Sequence, residues 1–355
     1  MRAFNVEFFD RSYNFITNQM TSDFSYTFDY LSQTSNVISL KTDNLVGIGQ
    51  FVRISGGPKE IYGVVSAIDR GSGNGKLMNV SYNPLTSLLS TDVLFDTDLQ
   101  GSDTPLETVI ANFIRDLYVN NGDTLQNISG LTVRVTSTTE DWGFNLKSTN
   151  EGMHHTIIDF WDSIIARALE KYQIVVDMRM NVGAKTITCT VGKNTEARQV
   201  IEADLPNIVE RNIVEDASNE SANKAVIYNG NNYSQRAVYY RHPDGTFDTQ
   251  NRARLTPVLR VADEVLVEEG QTFAKAAQSK AGDILGQAAY NNLIELRVLM
   301  DDDLVKAGTI DIGQVVTIIT NGVSYTSILS GYLIDTMMTL TFGIIRLDLT
   351  KQLRR

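Results

Sequence analysis

The sequence predicts an α+β fold that is mainly β, with two similar small antiparallel β-barrels and an α/β region inserted between them. Three observations predict it. Apolar residues alternate with polar ones near the start of the chain, as in Phe4, Val6 and Phe8 and again in Phe24, Tyr26, Phe28 and Tyr30, which is the period of a half-buried strand. Helical periodicity is confined to the middle and to one late segment. A stretch near the start, Ile48-Gly49-Gln50-Phe51-Val52-Arg53-Ile54, returns near the end as Ile312-Gly313-Gln314-Val315-Val316-Thr317-Ile318, with five of seven residues identical.

The first segment, residues 1–98, reads as strands throughout. Beyond the two aromatic runs, strands are predicted at Phe51–Ile54, Ile61–Ile68 and Leu77–Tyr82. Gly56-Gly57-Pro58 and Gly71-Ser72-Gly73-Asn74-Gly75 supply turns. Residues 99–206 are mixed. Thr104-Pro105-Leu106-Glu107 has the form of a capping box with proline opening the helix. Leu106, Val109, Ile110, Phe113, Ile114 and Leu117 then make one apolar stripe. A second helix is predicted from Thr156 to Tyr172, followed by a hairpin of Ile174–Met180 and Thr186–Val191. The last segment, 207–355, is predicted to form the second barrel and to repeat the first. Its strands are Lys224–Tyr228, Arg236–Arg241, Asn292–Met300, Val315–Ile319, Ser324–Tyr332 and Thr339–Asp348, interrupted by a helix at about 272–285 with a loop at Glu215–Asn223.

Each copy of the seven-residue echo leads through a turn into a glycine-bearing strand, Tyr62–Asp69 or Ser330–Asp335. Two similar barrels in one chain have a geometric use. Three chains present six similar units about an axis, so a threefold object can mate with a sixfold one.

Composition excludes several classes. Hydrophobic residues make up 42% and charged residues 21%, as in ordinary globular chains. No apolar run is long enough to span a bilayer, and Met1–Asp10 lacks the form of a signal peptide, so synthesis in a cytoplasm is expected. Cys189 is the only cysteine, so no internal disulfide forms and a cysteine zinc site is excluded. The net charge of −11 disfavours ordinary nucleic-acid binding. An acidic wall suits a pore through which DNA must slide without sticking.

The residues that hint at chemistry carry little. Arg70–Leu77 lacks the first glycine and the final Ser/Thr of a phosphate-binding loop. His154 and His155, with Asp159, lack a second histidine on one helix face. Glu140 and Asp141 precede Trp142, but adjacent strand residues point to opposite faces, whereas a glycosidase pair must flank one cleft. Asp301-Asp302-Asp303 lacks the alternating ligands of a calcium loop. No catalytic, cofactor-binding or metal residue is assigned.

The order of these segments resembles the tail hub (baseplate hub, or tail-associated) proteins of long-tailed phages and tail-like bacteriocins. The likeness is carried by the two glycine-led strand pairs, by Asn223–Gly230, by Tyr239–Gly245, and by Ser330–Asp335 followed by Leu340–Gly343. The resemblance implies a viral structural protein rather than an enzyme. It implies a homotrimer whose barrels alternate in a pseudo-hexameric ring around a channel for tape measure protein and DNA. It implies a distal tail or tail tube protein on one face and a tail spike, fibre or lytic protein on the other, in a virion tail tip or tail-like particle. Some relatives carry a hydrolase or fibre extension. This chain stops at Arg355, so lysis is expected from a separate protein. Two alternatives stay open: a peptidoglycan or glycan hydrolase using Glu140 and Asp141, and a glycan-binding module.

Overall fold

A computed structural model describes residues 2–71, 77–96, 99–100, 104–140, 142–144, 155–215, 222–242, 247–251, 260–267, 272–285, 290, 292–302 and 304–344. Strands hold 48% and helices 16%, so the chain is α+β and mainly β. Its two largest sheets are curled into half-barrels.

The first segment supplies β1 (Phe4–Phe9), β2 (Phe15–Thr21), β3 (Tyr26–Asp29), β4 (Asn36–Lys41), β5 (Phe51–Ser55), β6 (Ile61–Asp69) and β7 (Leu77–Pro84). Six of them form an antiparallel sheet in the order β2-β1-β5-β6-β7-β4. The pleat sends Val6, Phe8, Val52, Ile54, Val80, Tyr82, Ile38 and Leu40 into one core. The sheet curls until its two edges meet. The Gln19 amide on β2 donates to Lys41 O and accepts from Lys41 N on β4, both at 2.9 Å. One side chain thus satisfies two edge groups that would otherwise be left open.

The middle runs through β8 (Asp92–Asp96), β9 (Leu99–Gln100), α1 (Leu106–Tyr118), β10 (Leu131–Val135), β11 (Gly143–Phe144) and β12 (His155–Asp159). A π-helical stretch, Trp161–Ala166, continues as α2 (Arg167–Tyr172), then β13 (Ile174–Asn181) and β14 (Thr186–Lys193). β10 joins β14 in parallel and β13 pairs with β14 as the predicted hairpin. Two expectations are corrected here. The helix before that hairpin starts after Asp159, because Thr156–Asp159 pairs with β8 and the Asp159 carboxylate accepts from Asp162 N–H at 2.8 Å. The capping box does not form. Glu107 is fully buried and accepts instead from Ser137 Oγ, Thr139 N and Thr139 Oγ1 at 2.7–2.9 Å. It therefore tethers the irregular segment that follows β10 to α1.

The remainder gives β15 (Gln199–Glu202), β16 (Ile208–Glu215), β17 (Lys224–Asn229), β18 (Asn232–Arg241), β19 (Phe247–Asp248), β20 (Arg260–Val265), α3 (Phe273–Leu285), β21 (Asn292–Val298), β22 (Val315–Thr320), β23 (Val323–Ile334) and β24 (Met338–Phe342). The second curled sheet runs β15-β22-β23-β24-β21-β16, with β3 also paired to β23. Segments 1–98 and 99–206 thus each lend this sheet a strand, β3 and β15. The expected strands at Lys224–Tyr228 and Arg236–Arg241 do not enter it. They lie in a separate sheet, β19-β18-β17-β20, whose Ala225, Ile227 and Tyr239 pack on Ala277, Ala281 and Leu285 of α3. Small helix residues allow that close approach. The expected Thr339–Asp348 strand ends at Phe342, and residues 345–348 lie outside the described residues.

Tyr30, just past β3, pins the middle to the first segment. Its hydroxyl accepts from Val176 N–H at 2.7 Å and its carbonyl accepts from Trp161 Nε1 at 2.9 Å.

Candidate functional site

Both curled sheets are built on one four-strand unit. β4 to β7 lie in the order β5-β6-β7-β4, and β21 to β24 lie in the order β22-β23-β24-β21. Chain order and neighbour order therefore agree. Registers agree as well. Ile38 faces Val80 and Leu40 faces Met78, as Leu296 faces Leu340 and Val298 faces Met338. Phe51 faces Val64 as Val315 faces Ile328. The long strand bulges at the same step in each, between Val65 and Ala67 and between Leu329 and Gly331.

The Ile-Gly-Gln echo is the entry turn of this unit. Gly49 and Gly313 have φ of 83° and 81°, where a Cβ is strained. Their N–H groups donate to Val65 O and Leu329 O, each at 2.8 Å. Gln50 Oε1 accepts from Gly47 N–H at 2.9 Å, and Gln314 Oε1 from Asp311 N–H at 3.1 Å. Gly63 and Gly331 are not counterparts, however. Gly63 lies opposite Val52, whereas Gly331 lies past the bulge, opposite Thr341. Ser327, opposite Val316, takes the place of Gly63.

The echo also extends upstream. Asp43-Asn44-Leu45-Val46 corresponds to Asp302-Asp303-Leu304-Val305. Asp43 and Asp302 each accept from the N–H of the leucine two residues on, both at 2.9 Å. This Asx turn buries the valine and turns the leucine outward. Sequence reading passed over the pair because five more residues separate Val305 from Ile312 than Val46 from Ile48.

The two units meet through the connection that precedes β22. Arg2 pairs with Asp301, Lys59 with Asp311 at 3.1 Å, and Gly308 lies against Pro58. Lys59 and Pro58 belong to the β5–β6 turn.

The residues weighed for chemistry are scattered. Glu140 is exposed, Trp142 is buried with its Nε1 donating to Thr104 O at 2.9 Å, and Asp141 lies outside the described residues. His154 also lies outside them, as do Asp303, Ser72–Lys76 and Pro243–Gly245. His155 is on β12 and Asp159 is occupied at the helix start. Asp302 holds its turn and also accepts from Asn207 Nδ2 at 2.9 Å. Leu77 begins a strand rather than a helix. Among the described residues, no group of three His, Cys, Asp or Glu side chains is placed to hold a metal ion, and no helix is long and apolar enough to cross a membrane. A recess at the end of the second sheet is lined by Arg211, Ile213, Thr320, Asn321, Val323 and Tyr325. Asp204 accepts from Thr320 Oγ1, Asn321 N–H and Arg211 Nη1. Those hydrogen bonds, Thr320's foremost, hold its pKa below the usual carboxylate value.

The sequence matches no protein-family profile and no curated protein. Solved structures do match over nearly the whole chain. The tail protein from Neisseria meningitidis MC58 superposes with a TM-score of 0.54 at 12% identity, covering 96% of each chain. The prophage MuSo2 tail protein from Shewanella oneidensis gives 0.51 at 12%, covering 97% of this chain and 98% of its own. Prophage tail protein gp18 from Listeria monocytogenes gives 0.51 at 11%, covering 100% and 98%. The chain has the fold of phage tail proteins.

Proposed function

We propose that the chain is a structural subunit of a phage-type tail tip, three copies of which close into a ring around a channel. Segments 1–98 and 207–355 supply the two ring units, and 99–206 is the insertion between them. The observation that carries this reading is the repeated four-strand unit, with its shared strand order, bulge and entry turn. A chain holding two such units gives a trimer six of them, which adapts a sixfold tail tube or distal tail protein to a threefold spike, fibre or lytic protein. The net charge of −11 suits a lumen that passes tape measure protein and DNA without retaining them. Its work is assembly rather than catalysis.

Light scattering of the pure protein is expected to give about three times the 39.4 kDa chain mass, and projection images to show six lobes around an opening. A monomer at every concentration overturns the reading.

A further inference from the structure

We infer that Leu45 and Leu304 are equivalent anchor points by which the ring docks a sixfold protein partner. This rests on the ring reading above and names where that ring meets its neighbour. Leu45 is 61% exposed and Leu304 72%. Scattered exposed leucines are ordinary. These two are not scattered, because they occupy the same position of the same Asx turn in the two repeated units. In both, the next residue, Val46 or Val305, packs into the core, so the turn supplies the fold with a valine and leaves the leucine unused. Each connection carries a second bare apolar side chain, Ile48 or Leu299.

A partner that uses both turns must present the same socket twice per chain, which is six times around a trimer. The contact between units inside the chain shows what the leucine is not for. The connection holding Leu304 engages the first sheet through Asp301, Gly308 and Asp311, yet Leu304 stays bare. A contact between chains that copies this one leaves Leu45 bare too. Both leucines are thus free for a ring stacked on the face, and an apolar anchor in a socket is the kind of contact that dominates such interfaces.

The test uses the full-length protein and the isolated sixfold tail-tube ring of the same particle as probe. Leu45→Asp, Leu304→Asp, the double variant and the double Leu→Met variant are compared for mass, melting and binding. Both positions are exposed, so every variant is expected to melt and trimerise as the unaltered chain does. The double aspartate variant is expected to bind the tube ring at least about tenfold more weakly, each single variant to fall between, and the methionine variant to bind normally. Unchanged binding by the double aspartate variant overturns the assignment, as does failure of the unaltered trimer to bind. Loss of the trimer in the aspartate variants places the leucines between copies and overturns it as well. A monomeric unaltered chain is a different result, the failure of the ring reading itself.

Discussion

Lys59 Nζ lies 3.1 Å from Asp311 Oδ1, across 252 residues of sequence. The other carboxylate oxygen lies 3.0 Å from Arg179 Nη2 on β13. One carboxylate therefore ties together the first curled sheet, the second, and the middle segment. The partners do not shift alike. Burial lowers the Lys59 pKa despite its anion. At Asp311 burial works upward, but Lys59 and Arg179 together outweigh it and the carboxyl titrates below its usual range. Burial wins at the cation because its side chain is 10% exposed against 34% for the anion, and because the anion has two cations to draw on. The Lys59 ammonium also sits 5.7 Å from the Tyr332 ring centroid.

Asp311→Asn is expected to lower stability by about 2 kcal/mol, because it leaves a buried ammonium without its counter-ion. Lys59→Met is expected to cost less, since Asp311 keeps Arg179 and the methionine fills the space of the lysine stem. The pH dependence follows from the direction of the Asp311 shift. A carboxyl lowered by folding contributes fully above its unfolded pKa, near about 4, and loses that contribution as pH falls through the lower folded value. Urea unfolding between pH 6 and 3 should show a steeper acid loss in the unaltered chain than in Asp311→Asn. Parallel curves would refute the role.

The strands that carry the repeat were legible because each part of the signal is local. Gly49 and Gly313 announce a left-handed turn, and Val52, Ile54, Val316 and Ile318 announce a pleat. What was not legible is partner choice. Phe24 to Tyr30 alternates clearly, but nothing local says that Tyr26–Asp29 leaves its own sheet to pair with β23. Glu107 sat in a good capping pattern and was claimed by Ser137 and Thr139, thirty and more residues on. The Asx-turn leucines were hidden by an insertion, since a repeat with unequal spacing shows only once hydrogen bonds align it.

Gly49→Ala and Gly313→Ala separate backbone strain from packing. Both sites have nearly the same positive φ, so both carry the same left-handed penalty of about 1–2 kcal/mol. Their surroundings differ. A Cβ on Gly49 comes within 3.2 Å of the flexible end of Arg11, whereas a Cβ on Gly313 overlaps the branched side chain of Val175 on β13. Gly313→Ala should therefore be the costlier by about 1–3 kcal/mol in chemical denaturation. Equal costs would mean that Val175 moves freely aside.

Tyr30→Phe is expected to cost about 1–3 kcal/mol. It keeps the ring against Trp161, 5.2 Å between centroids, and removes only the hydroxyl. The Val176 N–H it served then stays buried without that acceptor. Hydrogen exchange at Val176 should accelerate with the loss. Unchanged exchange there would show that the hydroxyl is not what protects this amide.

The repeat itself predicts a substitution that improves the protein. Tyr82 on β7 and Phe342 on β24 occupy the same register position, opposite Val65 and Leu329 at the shared bulge, and both are fully buried. Tyr82 carries a hydroxyl that Phe342 does not, and among the described residues that buried oxygen finds no hydrogen-bond partner. Burial accordingly drives the phenol pKa far upward. A polar atom taken out of water with nothing to bond costs about 1–3 kcal/mol. Tyr82→Phe gives the first unit the residue that the second already uses, keeps the ring stacked on Tyr26, and removes that cost. Its melting temperature should rise by a few degrees. A fall of similar size would mean that the hydroxyl is satisfied in solution, through a bound water or a partner chain, and that the two units differ at this position for a reason of assembly.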